Sequence, residues 1–443
     1  MKTNSIWQST VSLPRFPRLE GDAKTDVLII GGGIAGILCA YMLDEAGVDY
    51  LLVEAETICS GITKNTTAKI TSQHGLIYDK LAHTFSLEYA RMYLEANEKA
   101  LAHYRNLCAE IDCDFKEQDA FVYTTSDLHK LEAELTVLDQ LGYPASYVEN
   151  LPLPMEVQGA VRFPHQAQFH PLKFAAAIAK SLHIYEHTKV LSYDGQRFHT
   201  KTGTITAQKA IIATHFPIWN KHGGYFLKLY QDRSYVLALE HAEKIDGMYI
   251  SAEKPGLSFR GYGNLLCIGG GGHRTGKQGG GWDTLSTLAK KHYPHSREVY
   301  RWATQDCMTL DGIPYIGQYA KNTPNLYVAT GFNKWGMTSA MLAAQLLTDL
   351  LQEKENPYTA LFAPSRPIWH PQLFANMLES TANLLRFTKP RCPHMGCALT
   401  WNAQEHSWDC SCHGSRFASD GTLLDNPATG DITKPSFKYQ SRH

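Results

Sequence analysis

The stretch Val27-Leu28-Ile29-Ile30-Gly31-Gly32-Gly33-Ile34-Ala35-Gly36 decides how the chain is read. An apolar run of strand type meets G-x-G-x-x-G, and the residues from about Gly33 to Glu45 follow the spacing of an amphipathic helix. A second apolar run, Tyr50-Leu51-Leu52-Val53, ends at Glu54. Strand, glycine turn, helix, strand and terminal acid together make the fingerprint of a βαβ unit that holds a dinucleotide. Gly31 permits the tight turn, Gly33 lets the backbone approach a pyrophosphate at the helix N-terminus, and Gly36 allows close helix–strand packing, with Ile34 and Ala35 between them. Glu54 is placed to accept from the adenosine ribose hydroxyls. The competing reading is a βαβ unit with a Gly-rich turn and no ligand.

Around this unit lie 443 residues, enough for roughly three domain-sized units. Hydrophobic residues at 44% and charged residues at 19% exclude the composition of a disordered chain. Forty-two basic against forty-three acidic residues leave a net charge of -1, so there is no global electrostatic case for nucleic acid or for an anionic membrane. The uncharged run from Val27 to Leu43 is too short for a transmembrane helix and holds four glycines. The N-terminus lacks the apolar core of a signal peptide, and the expected location is the cytoplasm.

Helices are expected over 79–112, 126–142 and Lys173 to Leu182, with short strands from Tyr185 to Ala213 and a β-rich block from Ser234 to Ile268. A strand at Leu326 to Ala329 leads into a helix from about Gly336 to Leu351. Gly269–Gly272 and Gly279–Gly281 read as a mobile loop. Pro357, Pro364, Pro367 and Pro371 mark a linker. The expected division is 1–355 for the dinucleotide and substrate parts, 356–385 for linker and helix, and 386–443 for a small C-terminal unit.

The segments from about 25 to 355 resemble, in order, the flavoprotein amine and amino-acid oxidase superfamily of D-amino-acid oxidase, glycine oxidase and sarcosine oxidase. Ser60 to Lys69, containing Thr67 and Ala68, sits where that family passes its second flavin-contacting loop. Lys189-Val190 resembles the strand that meets the adenine, and Ala210 to Thr214, with Ala213 and Thr214 at its end, resembles the second FAD strand. Asp311 to Gly317 and Ala329 to Thr338 resemble the C-terminal motifs, whose last helix begins at Gly336-Met337-Thr338 and points its N-terminus at the flavin pyrimidine. The resemblance implies FAD, an α/β Rossmann-like binding domain and an interleaved β-sheet substrate domain. No second dinucleotide fingerprint and no close cysteine pair beside the first appears, which disfavours a nicotinamide-dependent disulfide reductase. Thr304 occupies the position of the covalent-flavin cysteine and Cys307 stands at the wrong offset, so non-covalent FAD is expected.

Cysteine usage is uneven. Cys39, Cys59, Cys108, Cys113, Cys267 and Cys307 are scattered, whereas Cys392, Cys397, Cys410 and Cys412 fall together with His394 and His413. C-x-H-x-G-C followed by C-x-C-H-G-S is the Rieske pattern, two thiolates for one iron and two imidazoles for the other. A zinc ribbon using four cysteines is the competing reading. Resemblance to the respiratory Rieske proteins implies Cys392, His394, Cys410 and His413 as ligands of a [2Fe-2S] cluster, and Cys397 with Cys412 as a disulfide. The all-β lobe is abbreviated, with only Thr388 to Arg391 between the apolar segment Ala382 to Phe387 and Cys392, and is expected to lean on the flavin domain or another subunit. Trp401, Trp408 and Phe417 are expected to pack as its small core. Phe417 replaces a tyrosine that in those proteins bonds a ligand sulfur; Ser415 is kept.

Both halves together resemble a bacterial group of amine-oxidase-like flavoproteins with a C-terminal Rieske unit. The pairing implies an oxidoreductase that dehydrogenates a small organic substrate and passes electrons through the cluster to an external acceptor, a protein or a quinone. The alternatives are an oxygen-using oxidase with a structural cluster and a redox-sensing or interaction module. Catalytic candidates are His74, Lys334 and Asp306. Asp306 stands where glycine oxidase-like enzymes carry the substrate-carboxylate arginine, and either faces the substrate or pairs with Arg301. Arg260, His273 and Arg274 are further pocket candidates.

Overall fold

The computed structural model describes residues 1–387 and 390–432; Thr388, Lys389 and the stretch from Thr433 to His443, all part of the expected C-terminal unit or its spacer, lie outside the described residues. The first sheet runs in space as Tyr315–Gln318, Leu326–Thr330, Thr204–Ile212, Ala23–Ile30, Tyr50–Val53 and Ile184–Tyr185. All its neighbours on this path are parallel except the Tyr315–Gln318 edge. Leu28 to Ile30 and Ala210 to Ile212 form unbroken apolar runs because both faces of a parallel strand are covered. Val27 and Ile29 join one core, Leu28 and Ile30 the other. Ile30 lies opposite both Val53 and Ile212, so three strands end level and bring Gly31, Glu54 and Ala213 to one carboxyl edge. Helices Ile34–Glu45 and Gly336–Leu351 start at that edge and pack against each other.

The second sheet draws its nine strands from 69–168 and 229–309, so the chain crosses between sheets repeatedly. The helical stretch expected over 79–112 is two helices, Ile77–Thr84 and Leu87–Glu110, because extended Ser86 interrupts it and its side chain accepts from the Tyr89 N–H at 3.2 Å. The glycine run expected as a loop is corrected: Gly269–Gly272 lies within strand Leu265–Arg274. A Cβ on Gly270 would stand 2.7 Å from Leu257 Cδ2, and one on Gly271 (φ +60°) 2.3 Å from the Gly281 carbonyl. The glycines are there for close packing against the start of helix Gly281–His292.

The third sheet is antiparallel, with strands Leu399–Asn402, Ser407–Cys410, Arg416–Ala418 and Leu423–Asp425 in sequence order. Helix Pro371–Leu385 precedes it. Its core is small and half cysteine: Cys392, Cys397, Leu399, Cys410, Cys412, Phe417, Ala428 and Ile432. Phe417 is fully buried, whereas Trp401, expected inside, is 40% exposed because it sits on the open face of its strand, its ring 5.1 Å from that of half-buried Trp408.

Candidate functional site

A cavity of about 1710 Å³ opens at the carboxyl edge of the first sheet. Gly31, Gly33, Ile34, Ala35, Glu54, Thr67, Val190, Ala213, Thr214, Gly336 and Met337 line it, while Gly36, Ala68 and Thr338 stand behind the wall. A Cβ on Gly31 would come 2.6 Å from the Ala213 carbonyl and one on Gly36 1.9 Å from the Gly31 carbonyl, whereas one on Gly33 would meet only Thr63 Oγ1 at 3.4 Å and project into open space. Neither helix Ile34–Glu45 nor helix Gly336–Leu351 is capped by its own N-cap residue; Thr63 Oγ1 takes the Ile34 N–H at 3.0 Å, and the other first-turn N–H groups and positive dipole ends lie beside the cavity. Glu54 Oε2 accepts from the Gly32 N–H at 2.7 Å and Oε1 from Glu56 at 2.9 Å; burial raises its pKa against these bonds. Two helix starts and a glycine cradle fit a pyrophosphate, and the volume of the cavity has room for FAD.

Asp306, Lys334 and His74 also line this cavity. Asp306 lies opposite Asp232 on the neighbouring strand, and burial raises its pKa to about 6 while Lys334 draws it down. Lys334 donates to Ser234 Oγ at 3.1 Å and stands 3.9 Å from Asp232. The alternative partner Arg301 turns elsewhere, with its guanidinium 5.0 Å from the Trp282 ring. His74 spends both ring nitrogens inside the protein, on Tyr93 Oη at 2.7 Å and on the Thr71 carbonyl and Thr338 Oγ1, and stacks on Trp335. Burial lowers its pKa to about 3. Arg260 is removed from the cavity: its guanidinium donates to the Thr67 and Ala68 carbonyls and braces that loop from behind. Cys307 Sγ turns to Thr330 Oγ1 at 3.7 Å, and Thr304 stands in the cavity wall. Sequence reasoning passed over Lys69 as a charge, yet burial followed by the repulsion of Arg260 lowers its pKa to about 7 at the cavity wall.

In the small lobe, the rings of His394 and His413 lie 4.9 Å apart at 87°, and Nδ1 of each is buried without a hydrogen-bond partner. The Cys392 and Cys410 thiols touch, and that contact, with a further bond from Ser415, draws Cys392 toward the thiolate. Cys397 and Cys412 are joined as a disulfide, which removes them from any four-cysteine metal set. Two orphaned imidazole nitrogens and two free thiols, one of each from either loop, match the donor set of a Rieske [2Fe-2S] cluster. Cys392, His394, Cys410 and His413 would hold it.

The residues that sequence reasoning missed are those joining the two sites. His394 Nε2 donates to Asn220 Oδ1 at 2.7 Å, and the Phe226 backbone accepts from the His413 ring. Gln231 donates to the carbonyls of His413 and Asn426, and Gln305 to that of Gly414. Arg274, a pocket candidate in the sequence, instead grips the Ser411 and Cys412 carbonyls at 3.0 Å each. A buried ionic cluster closes the seam: Glu405 lies between Arg233 and Arg416, and Arg416 also bonds Asp409 and Asp425 at 3.0 Å. Burial alone would raise the Glu405 pKa, but the two guanidinium groups hold it below the ordinary value. Partners across the seam stand 109 to 195 residues apart and leave no local signal in a sequence.

Residues 26–350 match the FAD dependent oxidoreductase family and residues 376–436 the Rieske [2Fe-2S] domain. The chain is 36% identical to the Rieske 2Fe-2S iron-sulfur protein YhfW of Bacillus subtilis (strain 168), over 96% of each chain. It is 22% identical to gamma-glutamylputrescine oxidoreductase of Escherichia coli (strain K12), over 76% of this chain and 86% of that one. Among solved structures, glycine oxidase from Geobacillus kaustophilus superposes with a TM-score of 0.66 at 22% identity, over 78% of this chain and 100% of that one.

Proposed function

Given that the chain belongs to the FAD dependent oxidoreductase family and carries a C-terminal Rieske [2Fe-2S] domain, we propose that it dehydrogenates a small amine-type substrate and delivers the electrons to an external acceptor by way of the Rieske unit. Bound FAD would supply a hydride acceptor and the cluster a one-electron carrier. One observation carries the reading: Leu424, Asp425, Asn426 and Thr429 of the small lobe line the same cavity as Gly31, Gly33 and Glu54. Asn426 donates to the Thr214 carbonyl at 2.7 Å, and Lys189 reaches over to the Thr429 carbonyl at 2.8 Å. The lobe is part of the flavin cavity's wall, an arrangement a mere appendage does not need.

Within that cavity, Asp306 and Asp232 present carboxylates to a cationic amine, and Lys334 balances part of their charge. No arginine stands at the Asp306 position to clamp a carboxylate, so simple α-amino acids are expected to be poor substrates. The same reading divides the chain into a flavin unit at 1–355, a linker and helix at 356–385 and a Rieske unit from 386, in a cytoplasmic protein with FAD bound non-covalently. The test is anaerobic addition of candidate amines with the flavin followed by absorbance and the cluster by EPR. Flavin bleaching with appearance of a Rieske signal is expected. Bleaching while the cluster stays oxidised, with full turnover on oxygen, would replace this reading by that of an oxidase.

A further inference from the structure

Helix Pro371–Leu385 is built inside out. Its polar side chains Asn376 and Asn383 are buried at 3% and 2%, while Phe374, Met377, Leu378, Leu384 and Leu385 face outward, Leu378 at 72% exposure. Trp369 before the helix is 80% exposed and Phe387 after it 94%. These seven are half of the fourteen large hydrophobic side chains exposed among the described residues, gathered in one segment.

The helix cannot roll over to hide them. Asn376 Oδ1 accepts from Arg274 at 2.8 Å, and Arg274 in turn holds the second cluster loop. Glu379 pairs with Lys277 at 2.6 Å and accepts from Asn383, while the Asn383 carbonyl accepts from the Ala398 N–H beside Cys397. Rotation would strand all of these groups.

Charge identifies what covers the face. From Asn356 to Arg391 the sequence contains one acid, Glu379, and that acid is turned inward to Lys277. Arg386, Lys389 and Arg391 follow the apolar run with no acid among them. A second copy of the chain would bring the same cations and no anion of its own to such a face. An anionic lipid surface supplies acyl boundary for the leucines, a headgroup layer for Trp369 and Phe387, and negative charge for the arginines. The near-zero net charge of the whole chain conceals this local pattern.

We propose that the segment Trp369 to Phe387 is an interfacial anchor that lays the Rieske side of the molecule on an anionic membrane surface. No helix among the described residues is long and apolar enough to cross the bilayer, so the attachment is peripheral. It does not depend on the direction or destination of the electrons, and its test uses no turnover.

The holoprotein is floated with vesicles of phosphatidylcholine alone and of equal parts phosphatidylcholine and phosphatidylglycerol. Binding to the anionic vesicles is expected, weakened on the order of tenfold or more by Leu378→Glu with Leu385→Glu, since each carries an exposed apolar side chain into the interface. Flavin absorbance and the cluster EPR signal of the double variant should match the parent, because both positions are solvent-facing. Failure to float with anionic vesicles, or floating undiminished by the double variant, overturns the proposal. So does a dimer in sedimentation that the double variant converts to monomer, which would assign the face to a second copy.

Discussion

The flavin site and the cluster site are organised by opposite means. At the first, backbone does the work: level strand ends, glycines at contact distance and two helix starts shape the cavity, supported by apolar cores on both faces of the sheet. At the second, side chains do it: four donors, a disulfide, and a polar seam of Asn220, Gln231, Arg274 and Glu405 hold a lobe whose own core has eight buried members. A backbone-built site depends on the absence of side chains. A lobe with so small a core depends on its metal and its neighbour.

Two glycines break the first site in different ways. Gly33→Leu is expected to leave the fold intact and abolish FAD binding, because its side chain projects into the cavity and touches little else. Gly36→Val should fail to fold, because its Cβ collides with the Gly31 carbonyl. Circular dichroism and flavin content of the purified variants separate the cases, and a Gly33→Leu protein that kept its flavin would contradict the pyrophosphate assignment.

The second site breaks at its seam. Glu405→Ala removes the acid between Arg233 and Arg416; Arg416 keeps Asp409 and Asp425, but buried Arg233 is left with Asp425 alone at 4.0 Å, so the loss of its close partner should be destabilising by up to about 3 kcal/mol. The small lobe should become protease-sensitive and lose iron while the flavin unit keeps FAD. Acid should act in the same direction. Glu405 and Asp425 have pKa values held below the ordinary range, so the stability they contribute is present at neutral pH and is lost as pH falls through those lowered values. Loss of cluster EPR before loss of flavin in an acid titration would show it; simultaneous loss would mean the two sites share one cooperative unit.

This contrast also explains what the sequence made legible. G-x-G-x-x-G with its flanking strands, and the two cysteine–histidine loops, are local patterns, and the chemistry of each fixes its spacing. The seam was invisible because Gln231, Arg274 and Asn220 are ordinary polar residues until folding places them against loops far along the chain. The glycine run at 269–272 misled for a related reason, since a glycine kept for a neighbour's close approach looks like a glycine kept for a turn. His74 and Arg260 were singled out by residue type, and burial decided their roles.

Asp306 offers a subtler way to sharpen the comparison, at the level of one charge. With its pKa near 6 it is ionised above that pH and neutral below. The KM for a cationic amine should therefore rise about tenfold as pH falls through 6, and Asp306→Asn should have the high KM at every pH. Because the pKa is raised by burial, the ionised form costs the fold stability as pH rises, so Asp306→Asn at pH 8 should melt no lower than the parent. A KM independent of pH and of this substitution would place the substrate away from Asp306.

The smallest expected effect tests how far side chains tune the second site. Ser415 is bonded to Cys392 and its Oγ also accepts from the Ala428 N–H at 3.0 Å, so one hydroxyl already supports the cysteine side of the cluster. Phe417 lies fully buried in the core that holds both ligand cysteines, with no hydroxyl to offer. Phe417→Tyr adds a donor where the respiratory Rieske proteins have one, and a donor to a ligand sulfur favours the reduced, more negative cluster. A neutral hydrogen bond of about 1 kcal/mol corresponds, for one electron, to a rise of roughly 40 mV in reduction potential. Ser415→Ala should shift it by a similar amount in the opposite direction. Redox titration followed by EPR measures both. An unchanged potential in Phe417→Tyr with the cluster intact would mean that residue 417 packs against the disulfide side of the core and cannot reach a ligand sulfur, leaving Ser415 as the donor that sets the potential.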